Sequence, residues 1–417
     1  MSDIPFREAV RTWFLISLQT FGGPAGQIAV MQHILVDTKR WIDQKRFLHA
    51  LNYCMLLPGP EAQQLAIYIG WLLHGTRGGL VAGILFVIPG VVALLGLSVV
   101  YVLYGDTAMV TALFAGLAPA VLAIVAHAVW RVGRRSLKQP AQIAIASAAF
   151  VCLAFLGVPF PAVIAVAALA GWVFLRRHTS IPEDEDVAPP PPRWSRSAAI
   201  VVIGLALWAA PVLAVVLFTG WGSTLSQQGL FFSGTALVTF GGAYAVLAYV
   251  AQRAVETYAW VTPDEMVRGL GLAETTPGPL IMVVQFVAFL GAYRDPGGLD
   301  PWAAAVIGSL LTTWVTFVPC FMFIFLGAPY VERLRRNRSL SAALTGITAA
   351  VVGVIANLAV YFAAHTLFAD GSVRWFSVGI AVLAAIMLFA LRWGVLRTLG
   401  VCALVGVLPT IVAHLWG

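Results

Sequence analysis

Thr20-Phe21-Gly22-Gly23-Pro24 and Pro58-Gly59-Pro60-Glu61 interrupt two apolar stretches near the N-terminus of this 417-residue chain. Both clusters of glycine and proline lie where a soluble protein places ordinary helix formers. The pattern returns 219 positions later, as Thr239-Phe240-Gly241-Gly242 and Pro277-Gly278-Pro279. Of the 41 positions from Thr20 to Pro60, 12 are identical at this single offset. The sequence therefore predicts one unit used twice, with two breaks in the apolar segments of each copy.

The composition is that of a membrane protein. Hydrophobic residues make up 60% of the chain and charged residues 10%, whereas soluble proteins carry about 25% charged residues. The net charge of +7 is compatible with nucleic acid binding, but the basic residues lie in short turns between apolar runs, as the positive-inside rule expects. We therefore predict an all-α polytopic membrane protein whose partner is the lipid bilayer and not nucleic acid.

Other sequence signals are expected to be absent. The N-terminus lacks the basic start and cleavage site of a signal peptide. Four cysteines stand singly in apolar surroundings and are expected to be core residues (Cys54, Cys152, Cys320 and Cys402). No phosphate-binding loop and no metal-spaced histidine or glutamate cluster is present in the sequence. No cofactor, metal site or catalytic residue is predicted.

The chain divides into four predicted segments. Residues 1–178 form the first repeat, 179–196 an acidic and proline-rich linker, 197–224 an extra transmembrane span and 225–417 the second repeat. The repeat continues beyond the motifs, because Pro89, Gly116 and His127 correspond to Pro319, Gly346 and Asn357 at an offset of 230. Long spans are expected at 79–104, 107–130, 139–157, 159–177, 197–218, 302–327, 340–365, 373–391 and 394–416.

The broken runs at 9–36, 47–74, 228–255 and 264–292 have two interpretations. As kinked full spans, they give thirteen crossings with 19 Lys and Arg inside and 6 outside; as re-entrant hairpins, the distribution becomes 21 and 4. The second interpretation fits the charge rule better, and each arm is shorter than the roughly 20 residues that a span needs. Both interpretations place the N-terminus in the cytoplasm, the C-terminus in the periplasm and the two repeats in inverted orientation.

The breaks predict a site for an anion. A proline after a break suits the first position of a helix, and Pro24, Pro60 and Pro279 each can begin a half-helix. Half-helix N-termini present free N–H groups and about half a positive charge each, so four converging tips would suit a divalent oxyanion. The alternative is that the motifs kink helices only for packing.

Polar and ionisable side chains near the breaks are the next candidates. Thr20, Gln27, Gln63, Gln64, Thr239, Thr275 and Thr276 can either orient an oxyanion or cap the broken helix ends. Glu61, Glu274 and His49 are candidates for proton coupling, because an ionisable residue at membrane depth suggests function. Glu61 can instead complement the helix dipole, and His49 can extend to the interface.

The remaining charged groups are expected to be peripheral. Arg131, Arg134, Arg135, Lys138, Arg333, Arg335, Arg336 and Arg338 are interpreted as cytoplasmic anchors that also raise the local anion concentration. His127 is expected to be a buried, hydrogen-bonded histidine.

Together these motifs resemble the chromate transporter family in its long form with two homologous halves. The resemblance rests on the segments 20–24, 41–43, 57–64, 239–242 and 276–279 and covers nearly the whole chain. It implies a bacterial inner-membrane protein that exports chromate, draws on the proton-motive force and confers chromate resistance. The phenylalanine-glycine-glycine-proline motif is intact only in the first half, because Ala243 replaces the proline in the second.

The resulting hypothesis is a secondary transporter of a divalent tetrahedral oxyanion, chromate or sulfate, with alternating access. Its substrate-binding candidates are Thr20, Phe21, Gly22, Gly23, Pro24, Gln27, Pro58, Gly59, Pro60, Gln63, Gln64, Thr239, Phe240, Gly241, Gly242, Thr276, Pro277, Gly278 and Pro279. An anion channel and, more distantly, a membrane enzyme with Glu61 and His49 as an acid–base pair are the alternatives. A homodimer is expected only by analogy with other inverted-repeat carriers.

Overall fold

The protein is described here from a computed structural model covering residues 4–176, 194–240, 242–328, 337–369 and 371–416. The predicted linker 179–196 and the arginines at 333, 335 and 336 fall largely or wholly outside the described residues. Within these ranges the chain forms sixteen helices and one two-stranded hairpin.

The first repeat contains seven helices. They are α1 (Phe6–Ser17), α2 (Gly23–Gln32), α3 (Gln44–Cys54), α4 (Glu61–Tyr104), α5 (Ala108–Ser136), α6 (Pro140–Ala154) and α7 (Phe160–Ala170). A π-helical turn extends α2 over His33–Thr38, and another extends α7 over Gly171–Leu175.

The extra span and the second repeat follow. They comprise α8 (Trp194–Thr219), α9 (Thr224–Val238), α10 (Ala243–Gln252), α11 (Pro263–Thr275), α12 (Val283–Arg294), α13 (Pro301–Gly327), α14 (Arg338–Leu367), α15 (Trp375–Ala385) and α16 (Val395–Trp416). Short π-helical segments extend α10 and α15 over Arg253–Thr257 and Ile386–Ala390, and the 3₁₀ turn Leu280–Met282 precedes α12. The strands Phe368–Ala369 and Ser372–Val373 pair antiparallel between α14 and α15.

The first two broken runs are re-entrant hairpins. Lys39, which follows α2, pairs with Glu8 near the start of α1 at 2.8 Å. His74 Nε2 lies 2.8 Å from the carbonyl oxygen of Ile4. Both hairpins therefore begin and end on one face of the protein, which we call the N-terminal face. The alternative of kinked full spans is wrong for these runs.

The helix α4 consists of two antiparallel arms. Its backbone leaves the helical region at His74 and Gly75, and Gly75 has a φ of 58°. On either side of this turn the backbones approach so closely that a Cβ on Gly70 would lie 2.5 Å from the carbonyl oxygen of Gly78. The short arm thus closes the second hairpin, and the long arm, 76–104, crosses the protein.

The second repeat enters from the opposite face. The Thr224 hydroxyl, at the start of α9, donates to Asp295 after α12, and Arg294 pairs with Glu265 at the start of α11. Tyr101, near the end of the long arm of α4, lies 3.5 Å from Glu265. Because that arm begins at the N-terminal face, the second repeat is inverted relative to the first, as the sequence predicts.

The two repeats share backbone details that the sequence does not reveal. Arg40 and Ala259 occupy corresponding positions and have φ values of 53° and 52°. The amide of Trp41 donates to the Leu35 carbonyl at 2.9 Å, and that of Trp260 donates to the Ala254 carbonyl at 2.8 Å. The return from each first hairpin is therefore the same structural unit in both repeats.

Six helices are long and apolar enough to cross a membrane, judged by length and composition over the described ranges. They are α4, α5, α8, α13, α14 and α16. The spans expected at 139–157, 159–177 and 373–391 form shorter helices instead. For the first two, Gly157 with a φ of 61° and Pro159 separate α6 from α7, because the residue before a proline disfavours the helical conformation.

Candidate functional site

The four breaks meet in pairs that join the two repeats. The Gly59 amide donates to the Thr239 carbonyl at 2.7 Å, and the Gly278 amide donates to the Thr20 carbonyl at 2.9 Å. Each proline-glycine-proline segment thus bonds to the glycine-rich break of the other repeat. Because the hairpins enter from opposite faces, this junction lies between the two faces of the protein.

Two buried glutamines brace the junction. Gln27 Nε2 donates to the Gly278 carbonyl at 2.6 Å, and Gln64 Nε2 donates to the Pro58 carbonyl at 2.7 Å. These bonds satisfy carbonyl groups that a broken helix leaves unpaired. Both glutamines therefore help to hold the breaks in place, and the side-chain oxygen of each has no hydrogen-bond partner within the described residues.

The candidate threonines also bond to the backbone. The hydroxyl groups of Thr20, Thr239, Thr275 and Thr276 each donate to a carbonyl of the preceding helical turn. Gln63 is fully buried, and both polar atoms of its side chain lack a partner in the described structure. Phe21 and Phe240 adjoin the breaks, and Gly241 lies outside the described residues.

The residues following the breaks begin three α-helices and one 3₁₀ turn. Gly22, Pro60 and Gly242 are the residues immediately before α2, α4 and α10. Pro279 instead precedes the 3₁₀ turn at the start of the α12 arm. The sequence predicts four half-helix N-termini at the breaks, and three of the four are α-helical in the structure.

A cavity of about 320 Å³ lies beside these three N-termini. It is lined on one side by Pro24, Glu61 and Gly242, and on the other by Arg131 and Arg135 of α5. The remaining lining residues come from α2, α3 and the residue after it, α5, α10 and α14: Ala25, Ile28, Ala29, Gln32, Leu51, Met55, Val132, Ser136, Ala243, Tyr244, Thr348 and Ile355. It lies on the side of the junction that faces the N-terminal face, where α2 returns.

Two acidic residues stand at the helix N-termini around the cavity. A Cβ on Gly242 would lie 3.9 Å from Glu61 Oε1, and one on Gly23 would lie 4.0 Å from Glu274 Oε2. Glu274 is 1% exposed and accepts a hydrogen bond from the Tyr244 hydroxyl, while its Oε2 has no partner in the described structure. Each carboxyl group thus occupies a position that favours an anion.

Arg131 and Arg135, interpreted from the sequence as cytoplasmic anchors that raise the local anion concentration, both line this cavity. Arg131 is half-buried and Arg135 is exposed. Their spacing of four positions, which puts them on one face of α5, was the available signal. Among the other candidates, Arg134 stacks on the Trp130 ring at 5.1 Å, and His49 is half-buried on α3 without lining this cavity.

Two further cavities differ in position or chemistry. One of about 840 Å³ lies between α8 and α13 and has an almost wholly apolar lining, so it offers little to bind an anion. Another, of about 310 Å³, is lined by Asp264, Arg268 and Arg374 near the opposite face. Neither is lined by the glycines and prolines of the breaks.

The comparisons with known proteins agree with the repeat. The family model described as chromate transporter matches residues 7–172 and 226–407. A chromate transport protein of Pseudomonas aeruginosa is 32% identical over 90% of this chain and 85% of its own length. The chromate transport protein of Cupriavidus metallidurans is 27% identical over 87% and 83%, and a probable chromate transport protein of Synechococcus elongatus is 26% identical over 83% and 82%.

No solved structure matches this chain. The family match covers both repeats and contains all four breaks, so it includes every helix whose N-terminus borders the cavity. With the inverted architecture and the membrane-spanning helices, this match shows that the chain belongs to the chromate transporter family.

Proposed function

We propose that this protein is a secondary transporter that exports chromate across the bacterial inner membrane. The observation that carries the proposal is the cavity at the N-termini of α2, α4 and α10, with two arginines on its wall. A tetrahedral oxyanion with two negative charges matches partial positive charges and guanidinium groups. The names of the relatives in Pseudomonas and Cupriavidus supply the identity of the anion.

The orientation follows from charge. Lys39, Lys45 and Arg46 lie between hairpins that open at the N-terminal face, and Arg134 and Lys138 lie at the α5 end that returns there. The positive-inside rule places such a face in the cytoplasm. The N-terminus is then cytoplasmic, the C-terminus periplasmic, and the cavity accepts its substrate from the cytoplasm.

The membrane potential favours export of such an anion. Moving one charge through 100 mV changes the free energy by about 2.3 kcal/mol, so a divalent anion leaving a negative interior gains about 4.6 kcal/mol. This amount corresponds to a concentration ratio of about three orders of magnitude. The electrical part of the proton-motive force is therefore a sufficient drive for resistance, and Glu61 is the candidate for any additional proton coupling.

Transport into everted membrane vesicles tests the proposal, because their cytoplasmic face is outward. We expect energised vesicles to accumulate radiolabelled chromate, and an uncoupler to abolish the accumulation. Excess sulfate should compete if the site recognises only charge and shape. A dependence on the pH gradient that disappears in Glu61→Gln would assign proton coupling to that carboxyl group. Absence of chromate flux in energised vesicles containing the folded protein would contradict the proposal.

A further inference from the structure

We infer that Arg131 and Arg135 are the charged groups that bind the transported oxyanion, and that Glu61 and Glu274 compete with it inside the empty carrier. The inference rests on the proposed function and names the side chains that recognise the charge of the substrate in the same cavity. It depends on the position of four side chains around the junction of the breaks.

The two arginines lie one helical turn apart on α5 and line the cavity together. Within the described parts of the chain neither forms an ion pair; Arg135 has a contact with the Met55 sulfur at 3.8 Å. Arg131 is half-buried and Arg135 is exposed. Two guanidinium groups on one wall of a cavity beside three helix N-termini therefore indicate a site for a divalent anion.

Each arginine acts on one of the two carboxyl groups, of which Glu274 is buried and Glu61 half-buried. Arg135 interacts electrostatically with Glu61, and Arg131 interacts with Glu274 and with the Tyr244 hydroxyl. Neither couple is close enough for an ion pair. The cavity lies between the members of the Arg135–Glu61 couple, since both line it.

In their ionised forms, the two carboxyl groups are tethered anions at anion sites. Glu61 is in the first turn of α4 and near the N-terminus of α10, while Glu274 points towards the N-terminus of α2. A free oxyanion in the cavity would interact with the same helix N-termini and the same arginines. Glu61 and Glu274 therefore weaken substrate binding through like-charge repulsion, which helps to keep the transported anion releasable.

Arg134 provides a matched control. It belongs to the same helix and adjoins Arg135 but stacks on Trp130 and does not line the cavity. Removing its charge changes the net charge as much as removing that of Arg131 or Arg135. Any difference among the three variants therefore reports position and not overall charge.

The test is equilibrium binding of radiolabelled chromate to the purified full-length protein, together with vesicle transport. We expect Arg131→Gln and Arg135→Gln each to raise the Kd about tenfold or more, equivalent to about 1.4 kcal/mol. Arg134→Gln should bind as the wild type does, and Arg131→Lys should recover part of the lost affinity. Glu61→Gln should bind chromate several-fold more tightly, a gain that misfolding does not produce.

The outcomes separate this inference from the proposed function. If the wild type binds and transports chromate while the Arg131 and Arg135 variants bind it as tightly as Arg134→Gln, the inference is overturned and the transporter proposal stands. Unchanged or weaker binding by Glu61→Gln overturns the competing role of the carboxyl group. If the folded wild type neither binds nor transports chromate, both proposals fail.

Discussion

At the scale of single residues, the glycines of the two proline-glycine-proline segments are under the strictest constraint. Gly59 and Gly278 have φ values of 124° and 107°, and their amides form the bonds that join the repeats. A Cβ on Gly59 would lie 2.8 Å from both Cys320 Sγ and Gln64 Nε2. Glycine is therefore required for the backbone conformation and for the close approach of α13.

We predict that Gly59→Ala lowers the initial rate of chromate transport at least tenfold. The substitution places an L-residue in a disfavoured conformation, at a cost of about 1–2 kcal/mol, and displaces Gln64 from the break that it braces. Transport by equal amounts of purified protein in proteoliposomes provides the measurement. Gly96→Ala, on the long arm of α4 with no atom within 4 Å of the added Cβ, is the control. Equal rates for the two variants would contradict the prediction.

The sequence predicted these breaks but not the arginines. Gly22, Gly59 and Pro60 recur in a second copy, so their role is visible in the pattern alone. Arg131 ends an apolar run, and the same sequence pattern is produced by a side chain that extends to the interface. Only the position of α5 at the same cavity as α2 and α10, which are about 100 positions away along the chain in either direction, distinguishes the two cases.

At the scale of structural elements, the hairpins make a topological prediction. The re-entrant fold places Lys45 and Arg134 on one face and Gly222 on the other, whereas full spans would separate Lys45 from Arg134. We expect a membrane-impermeant maleimide to label Lys45→Cys and Arg134→Cys from the same side and Gly222→Cys from the opposite side. All three are exposed in the structure. Each is introduced with Cys152→Ser, because Cys152 is the half-buried one of the four free cysteines. Labelling of Lys45→Cys together with Gly222→Cys would refute the hairpin.

The second repeat is secured at the opposite face by Glu265. Its carboxylate accepts hydrogen bonds from Arg294 and from the Thr262 amide. The bond with Thr262 is part of the capping box at the N-terminus of α11. Burial raises the pKa of Glu265, but the hydrogen bonds and charge of Arg294 outweigh this effect, so the pKa lies below its ordinary value. The folded state therefore favours the ionised form.

We predict that Glu265→Gln destabilises the protein at neutral pH by about 1 kcal/mol, a value reduced because Arg294 is 44% exposed. A carboxyl group whose pKa is lowered by folding contributes its full stabilisation above its ordinary pKa near 4.5. This contribution is lost as the pH falls through the folded-state pKa. The difference in thermal midpoint between variant and wild type should therefore shrink in acid. Glu8→Gln, which breaks the exposed pair with Lys39, should cost less at neutral pH. An equal loss at pH 4 and pH 7 would contradict the assignment.

The sequence predicted the elements better than their lengths. The hairpins, the turn after residue 74 and the inverted repeats follow from interruptions in apolar runs. The short helices α6, α7 and α15 do not, because hydrophobicity reports which residues avoid water and not where the backbone bends. Gly157 and Pro159 were the local signal for the first two.

At the scale of the whole molecule, the inverted repeats predict the second state of the transport cycle. In such carriers the two repeats exchange conformations, so that a cavity on one face is replaced by its counterpart on the other. The cavity in this structure faces the N-terminal side and is lined by Arg131 and Arg135 of α5. At the repeat offset of 230, their counterparts on α14 are Tyr361 and His365. The outward-facing cavity is therefore expected to lack the arginine pair.

This asymmetry would weaken binding of the anion in the outward-facing state, whereas the membrane potential sets the direction of net transport. In the present state Tyr361 and His365 pack together, with ring centroids 4.5 Å apart, and Glu256 is a charged neighbour of Tyr361. A divalent anion that binds two guanidinium groups from the cytoplasm would meet Tyr361 and His365 at the corresponding positions after the exchange. Release to the outside would then be favoured without any change in the junction of the breaks.

We predict that His365→Arg reduces the difference in anion affinity between the inward-facing and outward-facing cavities. An added guanidinium group in the outward-facing cavity should slow release, so the maximal rate of export should fall several-fold, while the affinity measured from the periplasmic face rises about tenfold. Export is measured in everted vesicles, and the external affinity by exchange in right-side-out vesicles. His365→Gln, which removes the imidazole without adding charge, separates the effect of the new cation from loss of the contact with Tyr361. If His365→Arg and His365→Gln gave the same export rate and the same external affinity, α14 would not line the outward-facing cavity as the repeat predicts.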